Sequence, residues 1–392
     1  MSSAKFDIVV YGATGFTGQL VAEYLAAHYK NDKQLKWAMA GRSLDKLKSV
    51  RDAIGAPATT PLIVADASDA DSLKAMAEQT MSVITTVGPY QLYGEDLLAA
   101  CVATGTDYFD LCGEPIWMRQ MIDKYEAAAK DSGARIVFSC GFDSVPFELG
   151  TFFVQEEAKR VFGAPAARVK GRVRDMRGTL SGGTAASAKA TFDAVAKNIS
   201  LVAILNDPFA LTPDFTGPKQ PRGNKPLLED DLQSWAAPFM MALINTRNVH
   251  RSNMLMGFRY GRDFIYDEMV LTGPGEKGEA NAKRVMAANA EKTGPSAPKP
   301  GEGPSKDERE NGLFNLLYIA IAPDGRMVRA GVTGDRDPGY GSTSKMISEC
   351  AICMLRDVTD VAAGFWTPGA AMQHKLIKRL RDNAGLTFEV EG

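Results

Sequence analysis

Long apolar runs are missing from this 392-residue chain: no stretch of 18 consecutive apolar residues occurs, so no membrane-spanning helix is predicted. Histidine is scarce. His28, His250 and His374 stand far apart, and a histidine-rich metal site has no basis, so no metal is expected. Five cysteines (Cys101, Cys112, Cys140, Cys350, Cys353) form an odd, irregular set. They do not make a disulfide framework, and a reducing, cytoplasmic setting is expected. Cys350 and Cys353 do form C-x-x-C, but they lie in the helically periodic SKMISECAICMLRDV with no second ligand pair. A buried helix face is the better reading than a redox or zinc site. Neither charge dominates: 45 Lys and Arg against 47 Asp and Glu leave a net charge of -2, which argues against nucleic acid as the main partner. Lys5 and Asp7 interrupt the N-terminus, and no signal peptide is predicted. Peripheral contact with a membrane or lipid surface is left open, as is a homodimer.

What is present is an ordinary globular composition, 45% hydrophobic and 23% charged, long enough for two domains. FDIVVYG, LKWAMAGR, PLIVADASD, MSVITTVGPY, DYFDLCGE and ARIVFSCGF read as short apolar strands. Helically spaced segments separate them. That alternation predicts an α/β fold: a doubly wound parallel sheet of Rossmann type, with right-handed crossovers. The pattern changes near Phe142. ARVKGRVRDM reads as a half-exposed strand, GGTAASAKATFDAVAKNISLVAIL as one long helix, and Asn206 to Asp231 as a surface loop or lid. LQSWAAPFMMALINTRNV reads as a core helix interrupted at Pro238, DFIYDEMVLTG as a strand, and Ala280 to Lys292 as a helix. NLLYIAIAPDGRMVRAGVTG is a hairpin turning at Pro323-Asp324-Gly325. A second, α+β domain follows from this. The boundaries are placed at 1–145 for the Rossmann domain, 146–338 for the second domain, and 339–392 for a C-terminal helix and strand packing back on the first.

Gly12-Ala13-Thr14-Gly15-Phe16-Thr17-Gly18 is G-x-x-G-x-x-G between strand and helix. The first glycine permits a tight turn, the second lets backbone N–H groups approach a pyrophosphate, and the third lets helix pack on strand. The helix N-terminus favours the phosphate charge. The second strand ends in Ala40-Gly41-Arg42-Ser43, without the acid that bonds the ribose hydroxyls in NAD sites. A guanidinium can instead pair with a 2′-phosphate, and Lys46 adds charge one turn later, so NADP(H) is the expected cofactor. Asp66 ends the third strand near the expected adenine, and Val87-Gly88-Pro89-Tyr90 ends the fourth towards the nicotinamide. Cys112 and Gly113 follow the fifth and complete the expected cofactor lining.

These residues, with AGRS, DYFDLCGE, CGFDSVPFELG (Cys140 to Gly150), SGGTAAS, PGEGPS, GDRDPGYGSTSKM and the closing LTFEV, resemble the saccharopine dehydrogenase-like oxidoreductases, and within them the trans-acting enoyl reductase group. The resemblance implies an N-terminal Rossmann domain, a central α/β domain, a C-terminal segment returning to the first, and NADPH. It also implies reduction of a carbon–carbon double bond on a carrier-bound acyl or polyketide chain in lipid assembly. True saccharopine reductases reduce an imine, and animal relatives are associated with lipid droplets.

Hydride transfer to an enoyl group also needs a proton donor. The Tyr-x-x-x-Lys of short-chain dehydrogenases occurs only as Tyr29 and Lys33, at the wrong end of the sheet. The candidates are Tyr90, Tyr340 and Asp143, beside Asp110, Glu114, Ser144 and Lys345 at strand ends and in a glycine-rich turn; each has a plain reading as packing, turn or cap. Three functions follow. A reductase of hydrophobic acyl substrates needs an apolar tunnel. An imine or carbonyl reductase of amino-acid-like substrates needs arginines for carboxylates, with Arg172, Arg174 and Arg177 to hand. A non-catalytic NADP(H)-binding, lipid-associated protein needs only the cofactor turn.

Overall fold

Continuous apolar runs form the first sheet. In the computed structural model, which describes residues 4–179, 182–291 and 302–392, β1 (Phe6–Tyr11), α1 (Phe16–His28), β2 (Trp37–Gly41), α2 (Leu44–Ala53), β3 (Leu62–Val64), α3 (Ala70–Ala77) and β4 (Thr80–Thr85) alternate as expected. A short α4 (Tyr90–Tyr93) precedes α5 (Glu95–Thr104), β5 (Asp107–Phe109), α6 (Pro115–Ser132) and β6 (Arg135–Val137). The strands pair in parallel, in the order β6-β5-β4-β1-β2-β3. Ile8, Val9 and Val10 are fully buried because helices cover both faces. Each such side chain stabilises the fold by about 1.5–3 kcal/mol. The order reverses beside β1, which places a crevice at the carboxyl ends of β1 and β4.

Helix α7 (Val145–Phe162) leaves this sheet for the second domain, entered through Pro146 in its first turn. There follow β7 (Arg168–Arg177), α8 (Gly182–Lys197), α9 (Val202–Asn206), β8 (Leu227–Glu229), β9 (Ser234–Pro238), α10 (Ala242–Leu255), β10 (Ile265–Gly273) and α11 (Gly275–Glu291). After these come α12 (Lys306–Glu310), β11 (Leu313–Ile321), β12 (Met327–Gly334), α13 (Thr343–Arg356), β13 (Gly364–Trp366), α14 (Pro368–Arg379) and β14 (Leu386–Glu391). The second sheet runs β14-β12-β11-β7-β10-β9-β8 and is mixed: β7 and β10 are parallel, the other pairs antiparallel.

Four expectations change. Ser234–Pro238 is a strand, not helix, because its small and apolar residues pair with β10; the helix starts only after Pro238. The expected long helix breaks at Asn198, whose side chain accepts from Ser200 N–H and caps a new turn. Leu227–Glu229 lies within the expected loop yet forms an edge strand on β9. The C-terminal segment divides between the sheets. α13 packs on α1 and β13 adds a seventh parallel strand beside β6, but LTFEV joins β12 of the second sheet. Leu386 and Phe388 alternate inward there, and pairing that apolar face with β12 buries it. Cys350 and Cys353 are buried on α13. Ser181, Pro300 and Gly301 of the motif blocks, and Lys292 of the expected helix, lie outside the described residues. No described helix is long and apolar enough to cross a membrane.

Candidate active site

The turn from β1 to α1 takes its shape from glycine. Gly12 stands at φ +84°, in the left-handed region. Its N–H and that of Ala13 donate to Ala40 O (3.0 and 3.1 Å), fastening the turn to the end of β2. A Cβ on Gly18 would overlap the carbonyl oxygen of Gly12 and stand 2.8 Å from Thr86 Oγ1. Gly15 is exposed and no side chain caps α1, so the first N–H groups of the helix suit an anion. A pyrophosphate fits this cradle. Gly18→Ala is therefore expected to cost about 1–3 kcal/mol by overpacking and to weaken NADPH binding. Thermal unfolding with and without NADPH measures both; an unchanged midpoint in each condition would refute the packing argument.

The ribose end is basic. Arg42 is exposed, and among the described residues no hydrogen bond or ion pair takes up its guanidinium. Ser43 Oγ caps α2 by accepting from Lys46 N–H (3.3 Å), and Lys46 is exposed beside it. Thr14 lies against Gly41 (its Oγ1 would be 3.6 Å from a Cβ there), joining the turn to the end of β2. Asp66 accepts from the N–H and O–H of Ser68 (3.0 and 2.9 Å), and with Arg42 nearby its carboxyl lies below the usual range. An exposed guanidinium without a hydrogen-bonded partner among the described residues, with an ammonium one turn away, matches a phosphate monoester.

Three loops follow along the carboxyl edge. After β4 come Val87, the exposed Gly88 and, across a cis peptide, Pro89; Val87 touches Gly12. Tyr90 is buried. Its hydroxyl donates to Thr85 O (3.2 Å) and accepts from Leu111 N–H (3.0 Å), tying the β4 loop to the β5 loop. Burial holds its phenol well above its ordinary range. The catalytic expectation for Tyr90 thus meets a hydroxyl already committed to backbone. Glu114 braces the same loop, accepting from Tyr90 N–H and Gln91 N–H (3.0 and 2.9 Å). After β5, Asp110 accepts from Cys112 N–H, Ser139 N–H and Tyr108 O–H. Burial pushes its carboxyl up to about 7. Cys112 is buried and Gly113 exposed.

After β6, the chain turns through Asp143 and Ser144. Asn248 of α10 donates to Ser144 Oγ (2.9 Å). Oδ1 of Asp143 is buried with no hydrogen-bond partner among the described residues, and burial pushes the carboxyl up to about 7. Tyr340 is brought to the other end of the site. Its ring packs edge-on against Phe16 (5.2 Å), beside the phosphate turn, and its hydroxyl lies 3.0 Å from Thr184 Oγ1. Arg309 lies over the Phe16 ring from the opposite segment (5.6 Å). Lys345 donates to Asp335 and to Ala384 O (both 3.2 Å).

Helix α8 lies across the β4 loop. Gln91 Nε2 donates to Thr191 Oγ1 (3.1 Å), and Ser187 comes near Gly88. Leu92, Tyr93 and Phe192, next to these contacts, are exposed. The three arginines suggested for substrate carboxylates are engaged within the protein: Arg172 with Glu229 and Asp267, Arg174 with Glu391, Arg177 with Asp175. A cleft of about 620 Å³ is lined by Phe152, Phe153, Arg259 and His374, and another of about 510 Å³ by Arg174, Thr272 and Arg284; neither is lined by a residue of the carboxyl edge.

Sequence reasoning missed Thr184, Asn245, Asn248 and Glu268. One signal was available: Asn245 and Asn248 stand three residues apart on a helix, so they share a face.

Residues 8–137 match the family model described as Saccharopine dehydrogenase NADP binding domain. The whole chain is similar to a Mycobacterium tuberculosis protein provisionally named a trans-acting enoyl reductase, at 39% identity, covering 96% of this chain and 95% of the relative. It is also similar to the trans-acting enoyl reductases of Mycobacterium ulcerans (35%, 97% of each chain) and Mycobacterium bovis (34%, 96% of each). Among solved structures, apo saccharopine dehydrogenase (L-Glu forming) from Saccharomyces cerevisiae shares the fold, with a TM-score of 0.55 at 11% identity, covering 99% of this chain and 100% of that one.

Proposed function

Because this chain belongs to the family of the trans-acting enoyl reductases, on an NADP-binding domain of saccharopine dehydrogenase type, we propose that it reduces a carbon–carbon double bond conjugated to the carbonyl of a hydrophobic acyl chain held on a carrier. The observation that carries this reading is the similarity along 96% of the chain, which takes in the second domain as well as the cofactor turn. NADPH, when bound, would supply a hydride. The residues would do the rest: the α1 N-terminus and the Gly12–Gly18 turn would hold the pyrophosphate, and Arg42 with Lys46 would take the 2′-phosphate.

Asp143 is the residue proposed to protonate the α-carbon. Its turn ends β6 on the carboxyl edge of the sheet, and a carboxyl pushed up to about 7 keeps a transferable proton near neutrality. Tyr90 braces two loops, and Tyr340 stands by the phosphate turn. Exposed Leu92, Tyr93 and Phe192 offer apolar surface beside the site for an acyl chain. The engaged arginines speak against an amino-acid-like substrate. The test is to follow NADPH oxidation with two panels: α,β-unsaturated acyl thioesters of increasing chain length, and imines formed from an amino acid and a keto acid. Turnover rising with acyl length supports the proposal; turnover confined to the imines overturns it.

A further inference from the structure

Beyond the cofactor edge lies a polar cluster of which the expected roles use only Asp143. Glu268 of β10 is buried, 1% exposed. Its Oε2 accepts from Asn245 Nδ2 (2.9 Å), while Oε1 has no hydrogen-bond partner among the described residues. Asn245 and Asn248 of α10 are each 0% exposed, and their Oδ1 atoms are also unpartnered, as is Oδ1 of Asp143. Four buried acceptors with no hydrogen bond formed would be unfavourable unless protons, the neighbouring Tyr266 hydroxyl or other hydrogen-bonding groups serve them. The cluster adjoins the site: Ile244, next to Asn245, lies against Gly113 after β5, and Asn248 holds Ser144 after β6.

Resting on the reading above, we infer that Glu268 shares a proton with Asp143 and restores it after each turnover, with Asn245 and Asn248 positioning the pair. Glu268 acts through Asp143 and is a positioning residue. Hydride addition at the β-carbon leaves the double-bond electron pair on the α-carbon and the thioester oxygen. The α-carbon then takes the proton from the Asp143 carboxyl, the resulting carboxylate takes the proton of Glu268, and water reprotonates Glu268. NADPH would be the only reductant the step needs.

The electrostatics agree. Burial pushes Glu268 up to about 8, and Asp143 and Asp267 add to the rise while Asn245 and Tyr266 oppose it. The charged and titratable groups around it are Asp143, Tyr266, Asp267 with its partners Arg168 and Arg172, and Tyr318. A carboxyl whose folded pKa is raised contributes stability that is fully present below its unfolded pKa, about 4.3 for Glu, and lost as pH rises through the folded value.

Glu268→Gln tests both parts on the full-length protein. Without any substrate, infrared spectra between pH 5 and 9 should show a protonated-carboxyl band that titrates near pH 8, disappears in Glu268→Gln, and titrates at lower pH in Asp143→Asn. The variant should also unfold at a higher temperature than wild type at pH 8.5, and at nearly the same temperature at pH 5. With an enoyl thioester, kcat should fall about tenfold or more with little change in KM, and the high-pH limb of the rate profile should move. If Asp143→Asn leaves the band in place, or Glu268→Gln leaves the pH profile unmoved, the shared proton is refuted. If the spectroscopic coupling holds while the wild type reduces only imines, the proton pair stands and the enoyl reading falls.

Discussion

Asp143→Asn is expected to lower kcat on an enoyl thioester by about 10²- to 10⁴-fold, the range that general-acid catalysis contributes. The asparagine keeps the size and the turn but has no transferable proton. NADPH affinity should change little, because the expected cofactor contacts lie on the loops after β1 to β5 and not on the turn after β6. The pH dependence carries a sign. Asp143 acts in its protonated form, and burial pushes its carboxyl up to about 7. Wild-type activity should therefore be highest at lower pH and decline as pH rises through that value. In Asp143→Asn the residual rate should lose this limb. Steady-state kinetics across pH measure the effect; a kcat within a few-fold of wild type would move the acid to another group.

Arg42→Asp is expected to reverse the coenzyme preference. Arg42 is exposed and makes no hydrogen bond or ion pair among the described residues, so the substitution breaks none, although it sets a second carboxylate near Asp66. Hydrogen bonds to a charged group contribute about 1.5–3 kcal/mol, which is roughly 10- to 150-fold in affinity. The introduced carboxylate also repels the 2′-phosphate, while it can accept from the ribose hydroxyls of NADH. NADPH affinity should fall by about a hundredfold and NADH affinity should rise. Titration with each coenzyme decides it: tighter NADH than NADPH binding by the wild type would overturn the role given to Arg42. High salt should weaken NADPH binding by the wild type more than by the variant, since the exposed ion pair is screened.

The first domain was legible because its signals are local. An apolar run ending in Gly12, the glycine spacing to Gly18 and the absence of an acid at Arg42 each need only a few consecutive residues. The carboxyl-edge rule then set Asp66, Val87 and Cys112 in order around the crevice. What was not legible depends on long-range pairing. Ser234–Pro238 is a strand because β10 lies beside it, and the same residues alone pass for helix. LTFEV goes to β12 because that edge was left open, which no local pattern announces. Tyr90 looked like an acid at a strand end; its hydroxyl is taken by Thr85 and by Leu111, twenty-one residues downstream. The juxtaposition of Asp143 with Glu268 arises only once α10 and β10 pack against the turn after β6. In the sequence those two acids stand 125 residues apart.

The central claim is that NADPH reduces a conjugated carbon–carbon double bond here. Isotope transfer tests it most directly. NADPH carrying deuterium at the transferable C4 position is incubated with the protein and, together, an α,β-unsaturated acyl thioester and an imine formed from an amino acid and a keto acid, and the products are examined by mass spectrometry and NMR. One deuterium at the β-carbon of a saturated thioester, with a solvent proton at the α-carbon, is the predicted result. Deuterium found only on the amine-bearing carbon of a reduced imine, with the enoyl thioester recovered unchanged, would contradict it.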